Sequence, residues 1–214
     1  MTIRIYLVDD HALVRTGMKL ILEQEVDIQV VGEAETGEVA LDEIRRIKPD
    51  VVLCDLHLPG ISGLEVTERI SRTGGSKVVV VSVLEDGPLP KRVIDAGACG
   101  YLGKAGDAGE LVRSVREVAR GKRYLGSAIA QAMALSTVDG DASPFDALSP
   151  RELEVAMLLV QGLRQEDIAR RLSLSAKTIN THKSRLFEKL EVRDNIALAR
   201  LAGQYGLADA ARAV

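Results

Sequence analysis

Five short apolar runs, four of them ending at a polar residue, constrain this chain more than any other feature. Ile3-Arg-Ile-Tyr-Leu-Val8 leads into Asp9 and Asp10, Val51-Val-Leu-Cys54 into Asp55, and Val78-Val-Val-Val81 into Ser82. Cys99-Gly-Tyr-Leu102 stops just before Lys104, and Gln29-Val-Val-Gly-Glu-Ala34 is the fifth run. Runs this short, rich in β-branched residues and apolar throughout, read as strands buried on both faces. Helical spacing fills the gaps. Leu13, Met18, Leu20, Ile21 and Leu22 follow the first run, Val39 to Ile47 precede Pro49, and a helix over 107–120 closes the series. Strands that alternate with helices predict a doubly wound, five-stranded parallel sheet, which binds ligands at the carboxyl ends of its strands.

Asp9, Asp10, Asp55, Ser82 and Lys104 all fall at that edge. Taken singly, an aspartate at a strand end is ordinarily a turn former or a helix cap, and a lysine there is ordinarily solvated. Five together are harder to dismiss. Clustered carboxylates repel and need a cation, and hard oxygen ligands suit Mg²⁺. A carboxylate nucleophile, a metal, an ammonium and a hydroxyl are the parts needed to form and hold an aspartyl phosphate.

The second half reads differently. Residues 125–135 carry a helix candidate, and Ser136 to Pro144 is rich in small and turn-forming residues, so 123–147 reads as a linker. From Leu148 onward the pattern is all helical. Ser149, Pro150 and Glu152 have the order of an N-cap, a first helical position and a capping-box partner. Gln165–Leu172, a turn at Ser173-Leu-Ser175, and Ala176–Leu190 form a helix-turn-helix, followed by a last helix from Asp194 to about Tyr205. In that arrangement the second helix enters the DNA major groove. Its outward face predicts Asn180, Thr181 and Ser184 at base edges, with Lys177, Thr178, Lys183, Arg185 and Lys189 mainly at phosphates. A basic helix face is in itself more often merely solvated, and net charge is only −3. The charge is unevenly placed. Residues 1–143 hold 17 Lys and Arg against 22 Asp and Glu, whereas 144–214 hold 11 against 9.

Val8-Asp-Asp10, Asp55-Leu-His-Leu-Pro-Gly60, Ser82, Tyr101 and Gly103-Lys104 resemble the CheY-like receiver domain of response regulators. The resemblance covers residues 1–122. It implies that Asp55 accepts phosphate from a sensor histidine kinase. It also implies that Asp10, Asp55 and the His57 backbone carbonyl ligate Mg²⁺, with Asp9 acting partly through water. Ser82 and Tyr101 would be the switch pair, Tyr101 turning inward, and Lys104 would hold the phosphoryl group. The His57 side chain would lie exposed beside the site.

Leu148-Ser-Pro-Arg-Glu152, Gly162, Asp167-Ile-Ala169, Lys177-Thr-Ile179, His182 and Lys189-Leu190 resemble the LuxR-type helix-turn-helix of the NarL/FixJ class. This places a small all-α DNA-binding domain at 148–214. Arg123-Tyr124, Ser143 to Ser149 and Phe187-Glu-Lys-Leu190 further resemble the GacA/UvrY group of global regulators. That group implies a hybrid sensor kinase and promoters of small RNAs that sequester a post-transcriptional repressor. Thr181-His-Lys-Ser184 departs from it.

The implied protein is a phosphorylation-controlled transcription factor, a homodimer when phosphorylated or DNA-bound, with slow autodephosphorylation and no other enzyme activity. A phosphatase resembling the haloacid dehalogenases would need a second acid two residues after the nucleophile, where His57 stands. A receiver reduced to a dimerising module would lack an acid or the lysine, and this chain has all of them. Cys54 and Cys99 give no disulfide pattern, no apolar run is long enough to span a membrane, and the start has no signal-peptide pattern, so a cytoplasmic location is expected.

Overall fold

The computed structural model describes residues 2–83, 89–138, 143–172 and 174–205. The centre of the expected linker at 139–142, the turn residue Ser173 and the end of the chain after residue 205 lie outside the described residues. The first half alternates β1 (Ile3–Val8), α1 (Ala12–Glu23), β2 (Ile28–Ala34), α2 (Gly37–Ile47), β3 (Val51–Asp55), α3 (Gly63–Thr73), β4 (Lys77–Ser82), α4 (Leu89–Asp95), β5 (Gly100–Gly103) and α5 (Ala108–Ala119). β6 (Tyr124–Leu125) and α6 (Ser127–Val138) follow.

The sheet is parallel throughout, in the order β2-β1-β3-β4-β5-β6. All five anticipated strands are present. The sixth corrects the five-strand expectation: it has two residues, too few for any periodicity, and it extends the edge beside β5 within the stretch read as linker. Strand order reverses between β1 and β3, so the ends of these two strands form the crevice that such sheets use for ligands.

Alternation along β1 separates the two faces. Ile5 and Leu7 join the core under α1 and α5, with Met18, Leu22, Leu111 and Val115. Tyr6 and Val8 join the opposite core under α2, α3 and α4, with Ala40, Ile44, Val66 and Val93. β3 is buried along its whole length. That double burial is why the strands read as unbroken apolar runs.

A short 3-10 turn, Pro144–Ala147, leads into α7 (Pro150–Val160), α8 (Gln165–Arg171), α9 (Ala176–Lys189) and α10 (Asn195–Gln204). The Ser149–Glu152 capping box is formed at the start of α7, Ser175 caps α9 and Asp194 caps α10. Such caps contribute about 1 kcal/mol each. Leu153, Ala156 and Leu159 of α7 pack with Ile168, Ile179, Leu186 and Leu198. Phe145 is buried and meets Tyr205 edge to face at 6.3 Å. This helical core is continuous with the receiver core on the α3–α4 side.

Gly63 marks how closely the start of α3 approaches the site. A Cβ there would stand 1.9 Å from the Asp55 carbonyl oxygen, a backbone atom that cannot swing aside. Gly17, in α1, has nothing within 4 Å of its missing Cβ. The two Gly→Ala variants should therefore shift stability in opposite directions in denaturant unfolding. Gly63→Ala should cost about 1–3 kcal/mol from overpacking. Gly17→Ala should gain roughly 0.5–1 kcal/mol of helix propensity. A stable Gly63→Ala protein would refute the close approach.

Candidate functional site

β1, β3 and β5 converge on one charged cluster. Asp9 is completely buried, and its backbone N–H donates to the Ala34 carbonyl, which fixes the end of β1 against β2. Its Oδ1 accepts from the His11 N–H at 2.8 Å. Asp10 is partly exposed, with Oδ1 2.7 Å from His11 Nδ1. Asp55, at the end of β3, is 3% exposed. Lys104 reaches over from the loop after β5, held by its backbone N–H donating to the Ser82 carbonyl. Its Nζ lies 2.9 Å from Asp55 Oδ2 and 2.8 Å from Asp9 Oδ2.

One ammonium bridging two buried carboxylates does not neutralise them. Burial pushes the Asp55 carboxyl up to about 6; Lys104 opposes the rise and Asp9 adds to it. Burial would lower the Lys104 ammonium, but Asp55 and Asp9 more than reverse that and hold it above its usual range. Asp9 Oδ2 and Asp10 Oδ1 make these contacts without a well-directed hydrogen bond. Ligand atoms of Asp9, Asp10, His11 and Asp55 all lie within 4.8 Å of one another. A surplus of buried negative charge on oxygen donors fits a hard divalent cation; imidazole suits softer metals, so the three carboxylates are the natural ligands.

Ser82 and Tyr101 both stand buried on neighbouring strands. The Tyr101 ring is fully buried. The His57 side chain corrects a second expectation. It is buried rather than exposed, because α7 covers it: His57 shares a cavity wall with Ser62, Leu64, Leu89, Glu154 and Met157. Burial, with Arg171 and Lys104 adding positive potential, lowers its imidazole to about 4.

Sequence reasoning passed over two residues here. Arg15, buried within the apolar pattern of α1, donates to the Asp9 carbonyl at 2.6 Å and to Glu35 at 2.8 Å, bracing the end of β1. Glu154, nearly buried, faces the receiver; burial pushes its carboxyl up to about 7 against the pull of Arg151. The only sequence signal for either was a charged residue at an inward helical position.

On α9 the residues assigned to DNA divide by geometry. Lys177, Asn180, Thr181, Ser184 and Arg185 are exposed along one side of the helix. The Thr181 hydroxyl donates back to the Lys177 carbonyl at 3.0 Å, and the Thr178 hydroxyl lies 2.8 Å from that of the capping Ser175. Lys183 stands 5.1 Å over the Phe187 ring. Lys189 forms a 2.7 Å ion pair with the buried Glu152 and so ties the end of α9 to the start of α7.

Comparison with known proteins matches both halves. Residues 5–116 match the response regulator receiver domain, and residues 146–202 match the bacterial regulatory proteins of the luxR family. Response regulator GacA of Pseudomonas aeruginosa is 44% identical over 98% of this chain and 99% of its own length. Response regulator UvrY of Escherichia coli is 44% identical over 97% of each. Among solved structures, RcsB from Salmonella enterica serovar Typhimurium, bound to promoter rprA in the presence of phosphomimetic BeF3−, is similar with a TM-score of 0.68 at 25% identity. That match covers 95% of this chain and 99% of RcsB.

The raised Asp55 carboxyl yields a pH test on metal-free protein. Its folded value lies near 6, above the unfolded value of 3.8, so the folded state holds the extra proton between them. Stability from this group is present below pH 4, falls as pH rises to about 6, and is then fully lost. Asp55→Asn removes that loss. In EDTA the variant should match wild type near pH 4 and exceed it by roughly 2–3 kcal/mol at pH 8, read by denaturant unfolding. An equal gap at both pH values would mean that Asp55 carries no such strain.

Proposed function

The chain belongs to the response regulators that join a receiver domain to a luxR-family DNA-binding domain, and on that premise we propose that Asp55 is its phosphoacceptor. It is a two-component, DNA-binding transcription regulator. The observation that carries the assignment is the buried Asp55 carboxylate, bridged by Lys104 to Asp9 at the reversal point of the sheet. At neutral pH the Asp55 carboxyl is ionised and one of its oxygens attacks the phosphorus of the donor, a sensor histidine kinase of hybrid type. The donor group leaves with the electrons of its bond to phosphorus. Lys104 turns from its carboxylate pair toward the new phosphoryl oxygens. Asp9, Asp10, Asp55 and the His57 backbone carbonyl would hold Mg²⁺, which would supply positive charge to the phosphoryl oxygens and the carboxylates. Ser82 moves toward the phosphoryl group and Tyr101 turns inward beside it. The chemistry goes no further than this transfer and slow autodephosphorylation.

The receiver occupies 1–122, a linker 123–147 and the DNA-binding domain 148–214. The phosphorylated protein acts in the cytoplasm as a homodimer on double-stranded DNA. Asn180, Thr181 and Ser184 read base edges. Lys177, Thr178, Lys183, Arg185 and Lys189 contact mainly phosphates, and Lys189 also ties α9 to α7 through Glu152.

Acetyl phosphate and Mg²⁺ should add one phosphoryl group to the protein, detected by intact mass. Asp55→Asn should abolish the gain and EDTA should prevent it. Unchanged labelling of Asp55→Asn would refute the assignment. For DNA, Asn180→Ala should cost about 1–3 kcal/mol on the cognate site and little on scrambled duplex. Lys177→Ala should weaken both and reduce the salt slope by about one unit. Equal loss for Asn180→Ala on both duplexes would remove its base-reading role, and an unchanged slope for Lys177→Ala would remove its phosphate contact.

A further inference from the structure

The loop from Leu56 to Ser62 connects Asp55 to α3, and it is held from three sides. Gly63 N–H donates to the Leu56 carbonyl at 2.9 Å, and Glu38 accepts from the Ile61 N–H at 3.0 Å. Gly60 adopts φ +77°, a conformation an L side chain rarely takes, and a Cβ there would strike the Glu38 carboxylate. The third hold comes from the other domain. Arg151 of α7 donates through Nη2 to the Gly60 carbonyl.

The same guanidinium also donates to the Leu172 carbonyl at the end of α8, at 3.2 Å, and to Glu154 at 2.6 Å. Glu154 in turn lines a cavity that His57 and Ser62 also line. One side chain thus links the loop that follows the acceptor, the first helix of the helix-turn-helix, and α7. On the far side of the contact, Arg92 of α4 donates to the carbonyls of Phe145 and Leu148. This interface uses α7 and the end of α8. Lys177, Asn180, Thr181, Ser184 and Arg185 of α9 remain exposed beside it.

We propose that Arg151 is a positioning residue that couples the acceptor loop to the helix-turn-helix, so that the receiver controls how the DNA-binding domain is oriented and leaves its recognition helix open. The proposal rests on phosphorylation at Asp55. A new phosphoryl group between Asp55 and Lys104 shifts the 56–62 loop and the Gly60 carbonyl with it. Arg151 then loses its receiver partner while keeping Leu172 and Glu154. The DNA-binding domain is freed to turn, with its own fold intact. Orientation matters only where two recognition helices must meet two half-sites in register; a single half-site needs one open helix.

The test uses the full-length chain, with and without acetyl phosphate, on two duplexes: one half-site, and two half-sites at the native spacing. Half-site affinity should stay within about twofold for wild type, phosphorylated wild type, Arg151→Gln and Arg92→Gln, since no base-reading residue is covered. On two half-sites, phosphorylation should raise wild-type affinity at least about fivefold, within the usual range of allosteric coupling. Both variants should lose most of that gain by starting high without phosphate. Arg92→Gln loosens the same interface from the receiver side and leaves the Leu172 and Glu154 contacts of Arg151 in place, so it holds the test open if Arg151→Gln folds poorly. A half-site affinity that rises on phosphorylation would overturn the proposal in favour of occlusion. A half-site affinity that falls in Arg151→Gln would make Arg151 a support of the helix-turn-helix alone. A full wild-type gain in both variants would end its coupling role. Absence of phosphoryl incorporation, read separately by mass, would remove the Asp55 assignment and the proposal with it.

Discussion

Two carboxylates forced together at the carboxyl ends of β1 and β3, with one ammonium between them, organise the receiver half of this protein. The fold places them there because the parallel sheet reverses its strand order between those strands, and because both are buried too deeply for water to separate their charges. Lys104 satisfies each in part. Its position depends in turn on β5 lying beside β4 and on the Ser82 carbonyl that accepts from its backbone. Asp9 depends on Arg15 from behind. The site is therefore a local charge imbalance built into a rigid frame, and a cation or a phosphoryl group changes that imbalance directly. Such preorganisation is what phosphoryl transfer asks of a protein.

The contact between the halves follows a different logic. Its strongest directional links run from two arginines to backbone carbonyls, of Gly60 on the receiver, of Phe145 at the end of the linker and of Leu148 just after it. Carbonyl acceptors report backbone position and carry no net charge. A link of this kind responds to a loop shift of an ångström or so and places no second ion pair at the acceptor site. The apolar part of the contact, Leu89 and Met157 beside His57, supplies burial without direction.

Much of this was legible in the sequence. β1, β3 and β4 announced themselves because double burial leaves unbroken apolar runs, and Ser149-Pro-Arg-Glu152 announced α7 because a capping box is a local device. What stayed illegible was set by tertiary partners. β6 is too short to have a period, and the register of β5 supports it. The side chain of His57 was expected to be exposed since nothing near it in the chain covers it; α7, nearly a hundred residues later, does. Lys189 looked like one more cation on a basic helix, yet its partner Glu152 lies 37 positions away. Arg15 and Glu154 were charges on inward helical positions, a pattern that signals a buried partner without naming it.

Openness of the recognition helix bears on where regulation can act. Were Asn180 or Ser184 packed against the receiver, release alone would explain control. They are exposed, and so are Lys177 and Arg185 on the same helix. A single domain of this size contacts few phosphates, so its affinity for one half-site is limited and strongly salt-dependent whatever the receiver does. Useful affinity requires two such helices held in register, and register is a property of domain orientation. Orientation is governed here by the contact between the halves, which Arg151 and Arg92 brace through backbone carbonyls. Coupling between sites in proteins typically amounts to about 1–3 kcal/mol, and a phosphoryl group facing Lys104 brings charge-assisted hydrogen bonds of the kind that can bias such a contact.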